Sequence, residues 1–240
     1  MTLPKIEYPL SLIRVHSLNR DVKFRPFLVK EEKLLLIAKE SKDPDEIRLA
    51  IIQIIQNCAC EPLDVDKLPL FDIEMIFVKI RAKSVGESVK LVYTCYNEVN
   101  GEPCNENTDY TVDLSKVTLE IPEGHSNKIM ITDTVGIILK YPTLESGTPL
   151  LENEDAYDRV LKMIMDNTEC IFDKEVVYKP ETSRPEELVE FMSNLTIEHM
   201  TLIQEFFTTG PKVVLTDKVT CKKCGYEHML NVEGLISFFI

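Results

Sequence analysis

Cys221 and Cys224 are separated by two lysines and followed at once by Gly225. Thiolates at this spacing turn toward a single ion, and a glycine after the second lets the backbone take a left-handed turn that aims amide N–H groups at sulfur. The stretch reads as a zinc knuckle. A structural zinc takes four ligands, so a second pair is needed. Cys95 and Cys104 supply it, each bordering a strand of an expected hairpin with eight residues between them. Paired strand ends lie about 5 Å apart, so both thiols reach one ion. The expected centre is a structural Zn2+ held by Cys95, Cys104, Cys221 and Cys224. Because 116 residues (105 to 220) separate the pairs, the ion would staple the middle of the chain to its end. Three rivals stay open. His228 fits a Cys221-x2-Cys224-x3-His228 spacing and would displace one of the first pair; all four thiols could be reduced and packed as small hydrophobes; a thioredoxin-like redox pair is the weakest, since no βαβ pattern surrounds the knuckle and it opens no helix.

Around this centre the chain has globular composition: 240 residues, 44% hydrophobic and 28% charged, enough for one large core or two modest ones. No run approaches 18 apolar residues, and Met1 to Leu10 lacks the basic and apolar regions of a signal peptide, which argues against membrane spanning and export. Seven cysteines in a chain made and kept in a reducing cytosol are free thiols or metal ligands. A net charge of −13 argues against nucleic acid as the partner, and eight glycines leave little room for phosphate loops.

The periodicities predict an α+β fold: a helical N-terminal part, central antiparallel strands, C-terminal helices, and a zinc-ribbon-like module joining two distant hairpins. The expected regions are 1–86, 87–145, 146–210 and 211–240. The first 28 residues read as extended, with a strand over Asp21 to Arg25. A helix over Val29 to Ser41 carries Leu34-Leu35-Leu36-Ile37-Ala38 and is expected to be buried. The next helix starts at Asp43 as N-cap, Pro44 at the first position and Glu46 in capping-box place, with Ile47, Ile51, Ile54, Ile55 and Cys58 on one face. Phe71 to Ser84 reads as a third helix ending at Val85-Gly86, with a strand as the lesser option. Val89 to Thr94 and Tyr110 to Leu114 form the expected hairpin, and Val117 to Ile121, Lys128 to Thr132 and Gly136 to Tyr141 read as further strands. Helices follow over Asp155 to Asp166, over Pro185 to Ser193 with a Ser183/Glu186 capping box, and over Ile197 to Thr208 with Thr196 as cap and Gly210-Pro211 as stop. Val213 to Leu215 begins a strand into the knuckle.

Other candidates reduce to structural roles. Cys58, Cys60 and Cys170 are expected core thiols. His16, His125 and His199 have no motif partner. Glu152, Glu154, Asp155 and Asp158 sit at a helix start, where carboxylates favour the macrodipole. Asp64-Val65-Asp66 lacks the glycine and distal Glu of a calcium loop. No catalytic motif and no small-molecule site is legible, and four thiolates would leave a zinc coordinatively closed, a scaffold rather than a catalyst.

Phe24-Arg25-Pro26-Phe27-Leu28-Val29-Lys30-Glu31-Glu32-Lys33-Leu34-Leu35-Leu36, Ala38 to Ser41, Ile51 to Cys58, the knuckle, and Val232 to Phe239 resemble the baseplate hub subunit and hub assembly proteins of T-even-type contractile-tailed bacteriophages. The resemblance implies a phage protein made in the host bacterial cytoplasm, without enzymatic activity, that contacts other hub and tail proteins and either stays in the virion or acts only during assembly. If those partners are basic, the −13 charge would steer assembly. The helices Val29 to Ser41 and Asp43 to Cys58 would help form a docking surface. The alternative function is a nucleic-acid-binding zinc ribbon. Its basic cluster would be Lys218, Lys222 and Lys223, with Tyr226 as stacking ring, thin beside the ten or so phosphate contacts of a strongly salt-sensitive binder.

Overall fold

The computed structural model describes residues 6–41, 43–144, 146 and 156–234, with only the backbone described at 44 and 156–159. In chain order the elements are β1 (Ser11–Val15), β2 (Arg20–Phe24), α1 (Val29–Ser41), α2 (Pro44–Cys58), α3 (Leu70–Val85), β3 (Ser88–Thr94), β4 (Glu98–Val99), β5 (Glu102–Pro103), β6 (Asn107–Asp113), β7 (Thr118–Glu120), β8 (Lys128–Met130), β9 (Val135–Leu139), α4 (Ala156–Asp166), β10 (Thr168–Asp173), β11 (Val176–Tyr178), α5 (Pro185–Ser193), α6 (Ile197–Thr208), β12 (Lys212–Thr220) and β13 (Glu227–Glu233). Every strand pair among them is antiparallel, so the fold is mixed α+β.

The chain divides into two compact units. The first comprises residues 1–65, 71–120 and 212–240, and the second residues 66–70 and 121–211. The second is thus largely an insertion between β7 and β12, strands that pair with each other in the first, Lys212 opposite Glu120.

In the first unit α2 follows from its sequence. Asp43 caps it by accepting the Asp45 amide at 2.8 Å, and Ile51, Ile54, Ile55 and Cys58 are buried along one face. In α3, Ile73, Ile76, Phe77 and Ile80 are buried, and Gly86 takes a φ of +114° where the helix stops. The burial expected of α1 does not occur. Only Glu31 and Ala38 are buried, while Leu36 and Ile37 are 55% and 52% exposed. Five consecutive apolar residues point around the full circumference of a helix, and α1 packs on α2 along one side only. The extended N-terminal segment holds two strands rather than one. Buried Asp72 fixes their turn by accepting the amides of His16 and Ser17 at 2.7 and 2.9 Å.

The second unit holds the sheet β11-β10-β9-β8. Ile129, Ile137, Leu139 and Ile171 from the sheet pack with Leu161 and Ile164 of α4, Leu188 and Met192 of α5, and Ile203 and Phe206 of α6. Gly136 is needed for packing, because a Cβ there would meet the Phe172 ring and stand 2.9 Å from the Ile129 carbonyl. β10 and β11 lie in a stretch the periodicity assigned no strand. Thr168–Asp173 is short, and burial on both faces removes the alternation that marks a strand. The Ser183 capping box does not form. Pro185 takes the first helical position, so Arg184 is the N-cap, and the Ser183 hydroxyl donates to the Lys179 carbonyl at 2.9 Å. At the end of α6 the cap is Thr209, and Gly210 does not adopt the left-handed conformation expected of a stop. Thr196 caps that helix reciprocally with His199. Glu152, Glu154 and Asp155 lie outside the described residues, and of Asp158 only the backbone is described.

One buried ion pair orders the start of α1. Arg25 donates to both Glu31 oxygens at 2.9 and 3.2 Å, and Glu31 also accepts the Leu28 amide at 2.9 Å. Burial pushes the Glu31 carboxyl up, but Arg25 and the Leu28 amide outweigh it and hold it below the ordinary glutamate value of 4.5. Removing the arginine leaves a buried carboxylate without its counter-charge, so Arg25→Met should cost about 3–5 kcal/mol at neutral pH by urea unfolding. Because the folded value is depressed, the wild-type contribution is present above pH 4.5 and fades as pH falls through the lower folded value. The gap between wild type and variant should shrink with it.

Candidate metal centre

Four sulfurs from two hairpins converge in the first unit. The Sγ atoms of Cys95, Cys104, Cys221 and Cys224 all lie within 4.8 Å of one another. Two contacts run between hairpins, Cys95 to Cys224 at 3.7 Å and Cys104 to Cys221 at 3.8 Å. A zinc with four sulfurs at about 2.3 Å in a tetrahedron sets sulfur–sulfur edges near 3.8 Å. These contacts are too long for disulfides, and all seven cysteines are free thiols.

The two arms are built alike. Cys95 follows β3, Cys104 precedes β6, and these strands pair from Ser88 opposite Asp113 to Thr94 opposite Asn107. Between the thiols, β4 and β5 form a miniature hairpin turned by Asn100 and Gly101, with φ of 56° and 84°. Its reach brings Cys104 N–H to the Asn97 carbonyl at 2.8 Å. On the other arm, Cys221 and Cys224 lie between β12 and β13, which pair from Val214 opposite Glu233 to Thr220 opposite Glu227. Cys95 N–H donates to the Glu106 carbonyl at 2.8 Å, as Cys221 N–H does to Tyr226 at 2.9 Å. After each second cysteine comes a left-handed residue, Asn105 at φ 49° and Gly225 at φ 73°. The following amides, of Glu106 and Tyr226, then point at the sulfurs of Cys104 and Cys224. The Asn97 amide serves Cys95, and those of Cys224 and Lys223 serve Cys221.

The amides and burial oppose each other at every sulfur. At the knuckle the amides win. Cys221 is brought down to about 6, chiefly by the Cys224 amide, and Cys224 is lowered by the Tyr226 amide. On the first arm the neutral form is favoured. Burial pushes Cys95 up to about 12, and at Cys104 the pull of the Glu106 amide is outweighed by burial together with neighbouring thiols. A dication among the sulfurs would reverse that preference, since a metal takes thiolate, not thiol.

His228, the rival ligand, is buried beside the four. Its Nε2 lies 3.1 Å from Cys95 Sγ, and its ring packs against Tyr93, Tyr96 and Tyr226 at centroid distances of 5.0, 4.4 and 4.7 Å. The four sulfurs would be enough for a tetrahedral set, and His228 lies at hydrogen-bond distance from one of them. A further tie joins the hairpins. Asp217 accepts from Lys116 Nζ at 2.8 Å, from the Tyr110 hydroxyl and from the Lys218 amide at 2.9 Å, which holds its carboxyl down to about 2.

Sequence reasoning missed the Asn100-Gly101 turn, Asn105 as counterpart of Gly225, and the tie at Asp217. The first two carry a signal, since Asn-Gly marks a tight hairpin and Asn tolerates positive φ. Of the expected core thiols, Cys58 and Cys170 are buried, but Cys60 is exposed because the chain has left α2. His16, His125 and His199 stand outside the sulfur cluster. In metal-stripped protein at pH 7, iodoacetamide should label half-buried, thiolate-favouring Cys224 first of the four and Cys95 last, read by peptide mass spectrometry. Labelling Cys95 ahead of Cys224 would contradict the amide pattern.

No curated relative and no solved structure matches the chain. No described helix is long and apolar enough to cross a membrane. The family described as T4 bacteriophage base plate protein matches residues 7–240, from β1 through both cysteine arms, and the chain belongs to that family.

Proposed function

We propose that the chain is a baseplate hub subunit or hub assembly protein, acting through contacts with other hub and tail proteins and stabilised by one structural Zn2+ on Cys95, Cys104, Cys221 and Cys224 in a zinc-ribbon-like module. The observation that carries the metal reading is the approach of four sulfurs to within 4.8 Å, each served by backbone amides. The family and the resemblance of the two chain ends to hub proteins support the role, and membership in a base plate family implies contacts with other tail proteins. The half-exposed Leu36 and Ile37 of α1 suit a protein that works by contact. On this reading the protein is made in the host cytoplasm, has no enzymatic activity, and crosses no membrane.

The zinc would supply charge neutralisation for the thiolates and a rigid joint between the hairpins. The residues of the chain supply the rest: β3 and β6 set the spacing of Cys95 and Cys104, the left-handed turns aim the amides, and Asp217 keeps β12 against the first arm. The nucleic-acid alternative is favoured only by exposed Lys218, Lys222, Lys223 and Tyr226, of which Lys218 pairs with Glu227 at 3.8 Å and the Tyr226 ring packs edge-on against His228. Saturable binding of single- or double-stranded DNA at moderate salt in a filter assay would revive it.

Elemental analysis should find one zinc per chain. Cys221→Ser and Cys224→Ser should lose it and melt the terminal hairpin or precipitate, whereas Cys170→Ser should keep it and cost roughly 1–3 kcal/mol. Equal behaviour of the knuckle and Cys170 variants would remove the structural zinc. Mass spectrometry and cryo-EM of purified virions should show the chain in the tail hub if it is a subunit, and its absence from complete particles would leave the assembly role.

A further inference from the structure

A groove of about 430 Å³ in the first unit is walled by Ser11 to Arg14 of β1 and by Val117 to Leu119 at β7, with Met75 and Lys79 of α3 along its floor. Both walls are sheet edges. Among the described residues β1 pairs only with β2, and β7 only with β12. Among the described residues no further strand pairs with the outer edge of β1, and natural edges are usually guarded by proline, bulges or inward charge. β1 has none of these, and its Leu12 is 66% exposed.

The charge of the groove runs against that of the chain. Among the described residues its lining includes Arg14, Lys79 and Lys83 and no Asp or Glu, in a protein with 40 acidic and 27 basic residues. Arg14 and Lys83 meet Asp21 and Glu87 at 3.7 and 2.7 Å, exposed pairs that exchange partners at little cost. Lys79 Nζ rests on the carbonyls of Ser115 and Val117 at 3.4 and 3.3 Å rather than on a carboxylate.

We propose that this groove docks an extended segment of a partner protein in which acidic and apolar residues alternate, added as a strand to the free edge of β1. Main-chain hydrogen bonds to β1 would give affinity, carboxylates on the face turned to α3 would meet Lys79 and Lys83, and apolar side chains on the opposite face would cover exposed Leu12. The inference deepens the reading of the chain as a contact-making tail component by naming the chemistry of one partner, and it rests on that reading. Zinc content and presence in the virion test that reading separately.

The test uses the full chain and fluorescence anisotropy of a labelled heptapeptide alternating Glu and Val. Saturable binding is expected. It should weaken roughly tenfold when Lys replaces Glu, when alternate peptide amides are N-methylated, and in the Leu12→Asp/Lys83→Glu variant. Both substituted residues are exposed, so the variant should keep its circular dichroism, melting temperature and metal content. Absence of saturable binding, equal binding of the basic or N-methylated peptide, an unchanged affinity in the variant, or displacement by oligothymidylate would each overturn the proposal.

Discussion

The meeting of four sulfurs from two sequence-distant hairpins sets the shape of the first unit. Four sulfurs this close, with backbone amides directed at them, form a group that could hold a metal ion, since a cation would offset the mutual repulsion of thiolates. The knuckle pair is already biased toward thiolate by its amides, while burial keeps the other pair neutral. The two halves of the cluster thus differ in the protonation state their surroundings favour.

Strand pairing explains how the chain accepts an insertion. Residues 121–211 form most of a second unit with its own core, yet the strands that flank them, β7 and β12, pair with each other. The excursion thus leaves and returns at adjacent points of one sheet. The Asp217 tie and the β7–β12 pairing act on the same two segments and oppose the entropy of closing a loop of that length, and a metal on the four cysteines would add to them.

Local signals decided the helices. α1 and α6 have the bounds their periodicity and caps predict, Val29–Ser41 and Ile197–Thr208, because capping and the i, i+4 pattern act within a few residues. The same signals misjudged α1's burial, since a run apolar on all faces does not say how many faces find a neighbour. They passed over β1, β10 and β11, whose pairing partners lie outside any local window, and placed a capping box at Ser183 where Pro185 had already fixed the first turn.

At the sulfur cluster the division is the same. The spacing Cys221-x2-Cys224-Gly225 by itself determined one arm, because two residues and a glycine fix both thiol separation and amide direction within a single turn. The mixed α+β class and the capped helices were likewise settled locally. Only the tertiary structure brought Cys95 and Cys104 to within 4.8 Å of the knuckle sulfurs, set His228 against Cys95, and opened a basic groove between two strand edges of an acidic chain. Those outcomes depend on strand register and on which segments pack together, and register is fixed by long-range pairing that no short stretch of sequence encodes.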